Sequence, residues 1–238
     1  MYLQEVIKAF CDILIWRINK KMETRGLIFD MDGLMIDTER LLQQYWCQAA
    51  NELGYPMKME HVLQIRSLAA KYAIPKLKAM LGEDFDYYKV RKRRMELMAA
   101  HVEKYGLEKK KGLDELLDYG KKKGYPMAVA TATDIERTTL YLQRIGKDTY
   151  FDQIVCAQMV KNGKPEPDIY LEAAKRLKLQ PQECMALEDS PNGILAAYRA
   201  GCKPVMVPDL DEPDEETKGR LYALAEDLSQ VISILENE

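Results

Sequence analysis

The sequence predicts an α/β fold with a doubly wound parallel-sheet core and an inserted helical cap. Three observations carry this. Short apolar runs alternate with helix-spaced segments from Gly26 and again from Gly112 onward, the rhythm of a parallel sheet covered on both faces. The stretch 38–110 between the first two strand runs keeps helical periods and has few β-branched residues. Acidic, hydroxyl and lysine residues stand just after the strand runs, where open α/β sheets bind ligands.

The elements follow in order. Residues 1–21 read as an amphipathic extension, because Leu3, Val6, Ile7, Phe10, Ile13 and Leu14 recur at helical spacing. Charges at Glu5, Lys8, Asp12 and Arg17 and the lack of a small-residue cleavage site argue against a secretion signal. The weak Lys/Arg excess argues against a membrane-surface anchor, and Met22 offers an alternative start. Leu27–Met31 is the first strand, and 22–37 with 111–238 form the core. Residues 38–53 read as a helix closing near Gly54 and Pro56, and helical periods continue over 58–105 with breaks at Pro75 and Gly82. The run KVRKRR at 89–94 reads as a solvated helix face, with phosphate contact as the alternative. The linker 109–112 and the segment Asp37–Thr38 are expected hinges of a cap that opens and closes. In the core, Leu113–Lys123, Ile135–Ile145, Asp168–Lys178, Pro191–Ala200 and 219–235 read as helices. Met127–Ala130, Gln153–Cys156, Cys184–Leu187 and Pro204–Val207 read as strands. Asp168 and Ser190 are expected N-caps, with Pro191 at the first helical position and Gly201 just past the end. The acidic stretch 209–216 reads as a surface loop.

Composition excludes some classes of function. In 238 residues, 35 Lys+Arg face 38 Asp+Glu for a net charge of −3, against the basic footprint of a nucleic-acid-binding domain. The five cysteines form no CxxC pair, which favours a reducing, cytoplasmic compartment over a disulfide framework. No apolar run is long enough for a membrane span. His61, His101, Trp16 and Trp46 read as structural or packing residues, and Cys156 and Cys184 as core.

The strand ends hold the chemistry. The first carries Asp30-Met31-Asp32-Gly33 and the second Thr131-Ala132-Thr133-Asp134. The loop after the third carries Lys161 to Asp168, and the fourth ends in Glu188-Asp189-Ser190. Clustered carboxylates repel one another unless a cation holds them, and an all-oxygen set suits Mg²⁺. A carboxylate can attack phosphorus and form an aspartyl-phosphate. A second one two residues on can protonate the leaving oxygen and later deprotonate water, while a hydroxyl and a lysine offset the phosphoryl charge. Singly, each residue has a plainer reading: Asp32-Gly33 as a turn, Thr131 as a strand residue, Lys164 as a loop lysine, Ser190 as a cap.

Phe29-Asp30-Met31-Asp32-Gly33 resembles the first signature of the haloacid dehalogenase-like superfamily, and Thr131, Lys164 and Glu188-Asp189 stand where the other three should. Gly163 to Asp168 and Glu188 to Gly193 resemble its phosphatase and β-phosphoglucomutase-like branch, whose small helical cap is similar to 38–110. The resemblance covers about 26–238 and implies a Rossmann-like core. It also implies roles. Asp30 would be nucleophile and Mg²⁺ ligand, and Asp32 the general acid/base with its backbone carbonyl on the metal. Thr131, Ala132 and Thr133 would bind the phosphoryl group, with Gly33 letting the backbone turn close to the site. Lys164 would neutralise charge, Asp189 would bind the metal, and Glu188 would ligate it or stand behind it.

Three readings follow: a Mg²⁺-dependent phosphatase of a small phosphate monoester, with sugar phosphates leading; a sugar-phosphate mutase; and a non-catalytic module binding Mg²⁺ or a partner. Mutases of the branch usually carry a histidine where Leu42 stands, and a serine-lysine-asparagine run where Thr133-Asp134-Ile135 stands. Both departures favour the phosphatase. Arg66, in Ile65-Arg66-Ser67-Leu68-Ala69, is a candidate substrate contact. The expected partner is a small phosphorylated metabolite, with no nucleic acid or membrane, and the expected state is a monomer or weak homodimer.

Overall fold

The computed structural model describes residues 22–65, 68, 70–210 and 212–238. The expected extension at 1–21 and the candidate contact Arg66 lie outside the described residues.

Six parallel strands form one sheet: β1 (Gly26–Phe29), β2 (Met127–Thr131), β3 (Gln153–Cys156), β4 (Cys184–Glu188), β5 (Lys203–Met206) and β6 (Ala223–Leu224), in the order β3-β2-β1-β4-β5-β6. Every residue of β1, β2, β4 and β5 is buried, because helices cover both faces of a parallel sheet and leave no polar side. The strand order reverses between β1 and β4. That switch point opens a crevice at the carboxyl ends of these two strands.

The helices are α1 (Glu39–Glu52), α2 (Met59–Leu63), α3 (Ala70–Leu81), α4 (Tyr87–Tyr105), α5 (Leu113–Lys123), α6 (Ile135–Arg144), α7 (Asp168–Arg176), α8 (Pro191–Ala200), α9 (Glu215–Lys218) and α10 (Gln230–Glu236). Local chemistry sets their ends. Around α5, Asp114 and Glu115 open the helix and Lys121 to Lys123 close it, complementing the macrodipole. Gly112, at φ 84°, precedes it where any Cβ would strike the Ser229 backbone, so only glycine serves. Ser190 caps α8 by accepting a bond from Gly193 N at 3.2 Å.

Two apolar clusters sandwich the sheet. One holds Phe29, Leu116, Val129, Leu187 and Leu228, the other Ile28, Ala130, Tyr170 and Ala197. Helices α1 to α4 build a third cluster of their own around Trp46, Leu77, Phe85 and Val90. The two strands of chain that join them to the sheet run side by side. Asp37 N donates to Glu108 O at 2.9 Å and Lys110 N to Met35 O at 3.0 Å.

Opposite the crevice, before the strands begin, the buried Lys203 ammonium donates to Met22 O, to Thr24 Oγ1 at 3.1 Å and to Glu238 Oε1 at 2.9 Å. Thr24 N donates to Glu238 Oε2 at 2.7 Å.

Several expectations need correction. Pro75 does not break a helix but lies inside α3. It forgoes the bond to the carbonyl four residues back, and burial of Ala73 and Leu77 holds the helix together. The single helix expected over 219–235 is instead the strand β6, a turn and α10. Tyr222 N and Ala225 N find Pro204 O and Met206 O on β5, and a two-residue edge strand has no period to betray it. The stretch 209–216 is not wholly a surface loop, since α9 begins in it and the Asp209 carboxylate is buried against Lys110 at 2.7 Å. Asp168 is the first helical residue of α7 rather than its cap. Its carboxylate accepts from Asn162 N at 3.0 Å and ties down the loop that carries Lys164.

The basic run at 89–94 is not simply a solvated face. The inward stripe of α4 runs Tyr87, Val90, Arg94, Met98, Val102 straight through it, at the three- and four-residue steps of one helix face. Val90 and Arg94 are therefore buried, while Arg93 stays outside and pairs with Glu52 at 2.6 Å.

Candidate active site

At the switch point the ends of β1 and β4 bring three buried carboxylates together. Oxygens of Asp30, Glu188 and Asp189 lie within 4.8 Å of one another. Asp30 follows β1 directly, and its N–H donates to Leu187 O at 3.0 Å. Glu188 ends β4, and Asp189 follows it.

One cation stands among them. Lys164 Nζ donates to Asp30 Oδ1 at 2.5 Å and to Glu188 Oε1 at 2.5 Å. The Tyr170 hydroxyl donates to the same Glu188 oxygen, and Ser190 Oγ reaches Glu188 Oε2 at 3.4 Å. Glu188 is thus fixed from the loop, from α7 and from the start of α8. Gly193 completes the fit, because a Cβ there would collide with the Glu188 carboxylate.

Three acids and one ammonium leave an excess of buried negative charge, which is costly unless compensated. Burial pushes the Asp30 carboxyl well above the usual carboxylate range; Glu188 and Asp189 push the same way, against Lys164. Burial works against the Lys164 charge, yet Asp30 and Glu188 outweigh it and raise the ammonium above its ordinary value. Burial, with Glu188 and Asp30 beside it, raises the Tyr170 phenol and keeps it a neutral donor. A hard divalent cation suits this cluster: the donors are all oxygen, they converge, and their surplus charge calls for one.

Asp32 stands apart from the carboxylate cluster. Thr38 Oγ1 donates to its Oδ1 at 2.6 Å and Thr133 Oγ1 to its Oδ2 at 2.7 Å, so both oxygens are held. Gly33, at φ 87°, turns the chain beneath them, and a Cβ there would meet Asp189 Oδ2. Thr131 ends β2, and its Oγ1 accepts from Thr133 N at 3.1 Å.

Asp30, Asp32, Thr131, Ala132, Thr133 and Lys164 line one cavity of about 130 Å³, closed on the other side by residues of α1 to α4. The structure therefore brings the described sequence candidates together at one crevice; Arg66 lies outside the described residues. Sequence reading missed Thr38 and Tyr170 as partners of the site, and took Ser190 as a cap only. The two threonine bonds and the tyrosine bond join residues far apart in sequence, except Thr38, which lies six positions from Asp32.

With this geometry in view, the comparisons with known proteins are coherent. Haloacid dehalogenase-like hydrolase is the family whose pattern matches, over residues 27–207. The phosphorylated carbohydrates phosphatase of Thermotoga maritima is 33% identical over 76% of this chain and 83% of its own. Hexitol phosphatase A of Escherichia coli is 33% identical over 81% of this chain and 90% of its own. The crystal structure of CbbY from Rhodobacter sphaeroides in complex with phosphate superposes with a TM-score of 0.76 at 25% identity, covering 87% of this chain and 96% of that one. The chain belongs to the haloacid dehalogenase-like hydrolases. Among the described residues no helix is long and apolar enough to cross a membrane.

Proposed function

We propose that this chain is a Mg²⁺-dependent phosphatase that hydrolyses small phosphate monoesters, sugar phosphates foremost, through an aspartyl-phosphate on Asp30. The observation that carries the reading is the buried Asp30–Lys164–Glu188 arrangement with Asp189 beside it, at the switch point of the sheet. Relatives named as phosphatases of phosphorylated carbohydrates and hexitols support the substrate class.

Asp30, Glu188 and Asp189 would hold Mg²⁺, with the Asp32 backbone carbonyl as a further oxygen. Bound there, the ion offsets charge on the phosphoryl group. An Asp30 oxygen attacks phosphorus, and the bond from phosphorus to the ester oxygen breaks. Asp32 gives its proton to the departing alkoxide. It then takes one from water, which attacks the aspartyl-phosphate and returns Asp30 and inorganic phosphate. The Thr131 hydroxyl and the backbone through Ala132 and Thr133 hold the phosphoryl oxygens, and Lys164 offsets their charge. Residues 38–110 act as a cap over the core 22–37 and 111–238. Leu42 lines the cavity without a group that could move a proton, in keeping with hydrolysis rather than phosphoryl return to a sugar.

The test is phosphate release from p-nitrophenyl phosphate. Wild type turns over with Mg²⁺ and stops with excess chelator. Asp30→Asn lowers kcat by about 10⁴-fold or more, as loss of a nucleophile does. Near-wild-type turnover by the variant ends the nucleophile assignment; chelator-resistant turnover ends the metal assignment.

A further inference from the structure

Three consecutive lysines in the second linker each meet a different aspartate. Lys109 pairs with Asp114 at the start of α5, Lys110 with Asp209 at 2.7 Å and Lys111 with Asp227 at 2.7 Å. The three pairs are not alike. The Lys111 side chain is 83% exposed and that of Asp114 42%, and ion pairs open to water contribute little. The Asp209 side chain is only 3% exposed. Its Oδ2 makes no hydrogen bond, and Lys110 supplies the bond to its Oδ1. The burial of this carboxylate therefore depends on one ammonium.

Lys110 also holds the first linker. Its N–H donates to Met35 O at 3.0 Å, and Asp37 N donates back to Glu108 O at 2.9 Å. Its ammonium stands 3.9 Å from Asp37 Oδ1, an oxygen with no hydrogen-bond partner. Asp209 belongs to the core: it lies two residues past Val207, whose N–H donates to Glu188 O at 2.8 Å. One residue thus connects the segment leaving β5 to the chain on both sides of Ile36. Directly after Asp37 comes Thr38, fully buried, whose hydroxyl donates to Asp32 Oδ1 at 2.6 Å. The backbone bonds join the linkers to each other; the ammonium of Lys110 joins them to the core.

We infer that Lys110, seated on Asp209, is a positioning residue for the proposed hydrolysis: it sets the chain at Asp37 so that the Thr38 hydroxyl stays on Asp32 and the Asp32 carboxyl faces the leaving oxygen. This rests on the hydrolase reading and adds to it a residue that does not line the cavity. Lys110 meets neither the phosphoryl group nor the water; it acts through Thr38. A general acid works only within hydrogen-bond reach of the atom it protonates, and a misplacement of about 1 Å costs on the order of 100-fold. The demand falls unequally on different esters. An alkoxide or an unsubstituted phenoxide needs the Asp32 proton to depart, whereas p-nitrophenoxide is stable enough to leave without it.

The experiment compares kcat/KM for phenyl phosphate and p-nitrophenyl phosphate, esters of similar shape whose leaving groups differ in their need for a proton. Lys110→Met should lower the phenyl phosphate value by about 10-fold, part of what a general acid supplies, and the p-nitrophenyl phosphate value by less than about 2-fold. Lys110→Arg should restore most of the loss. Thr38→Val should show the same selective loss, and adding Lys110→Met to it should cost nothing further, because the two residues act in series. Lys110→Met combined with Asp209→Leu removes both charges of the pair without stranding either. It should match Lys110→Met, and it carries the test if that single variant folds poorly. Equal losses on both esters, no loss on either, or a further loss in the Thr38→Val background overturn the inference. Absence of p-nitrophenyl phosphate turnover in wild type instead marks failure of the hydrolase reading itself.

Discussion

The two walls of the cleft handle buried polar groups in opposite ways. On the core side, Asp30, Lys164, Glu188 and Tyr170 satisfy one another through bonds from four separate segments of chain. On the insert side, Arg94 and Gln43 are buried with donors left over. A paired network is rigid before any ligand arrives. An unpaired one is costly to the folded protein. The contrast separates the two sides: the core wall is ordered by its own bonds, while the insert wall keeps buried donors without hydrogen-bond partners.

Removing the cation of the paired wall breaks the contrast most severely. Lys164→Met leaves three carboxylates facing each other and should cost about 3–5 kcal/mol of stability without added divalent ion. Chemical denaturation measures it, and an unchanged midpoint would show that the network is not a unit. A smaller effect follows from Gly193→Ala, whose methyl displaces the Glu188 carboxylate. Overpacking of this kind costs about 1–3 kcal/mol, with kcat falling as Lys164 loses its second acceptor. Urea titration and initial rates check both halves. The smallest change, and one of opposite sign, belongs to the other wall. Gln43→Leu removes an unsatisfied buried amide and should leave stability unchanged or raise it by up to about 1 kcal/mol. A loss of more than that in the same titration would mean that Gln43 is already paired in solution.

The same contrast governs what could be read from the sequence. The paired wall was legible because its acids and lysine directly follow buried strand runs, and a parallel sheet puts all those ends on one side. Thr131 and Gly33 follow from the same logic. Tyr170 was not legible: it belongs to the buried stripe Ile169, Tyr170, Ala173, Ala174 of α7, and only the fold shows that its hydroxyl meets Glu188. Arg94 was hidden differently. Its position is marked by the stripe Tyr87, Val90, Arg94, Met98, Val102, but the density of charge at 89–94 masks that period. Strand β6 escaped because pairing with β5, not its own two residues, makes it a strand.

The clasp around Lys203 has a practical corollary. It brings Met22, Thr24 and Glu238 to one point at the amino-terminal edge of the sheet, while Asp30, Thr131 and Glu188 stand at the carboxyl edge. The first and last described residues therefore share one pole of the molecule, and the cleft occupies the other. A solid support or fusion partner joined beyond Glu238 leaves the mouth of the cleft facing away from the attachment, open to small substrates and to spectroscopic probes placed on α1 or α4.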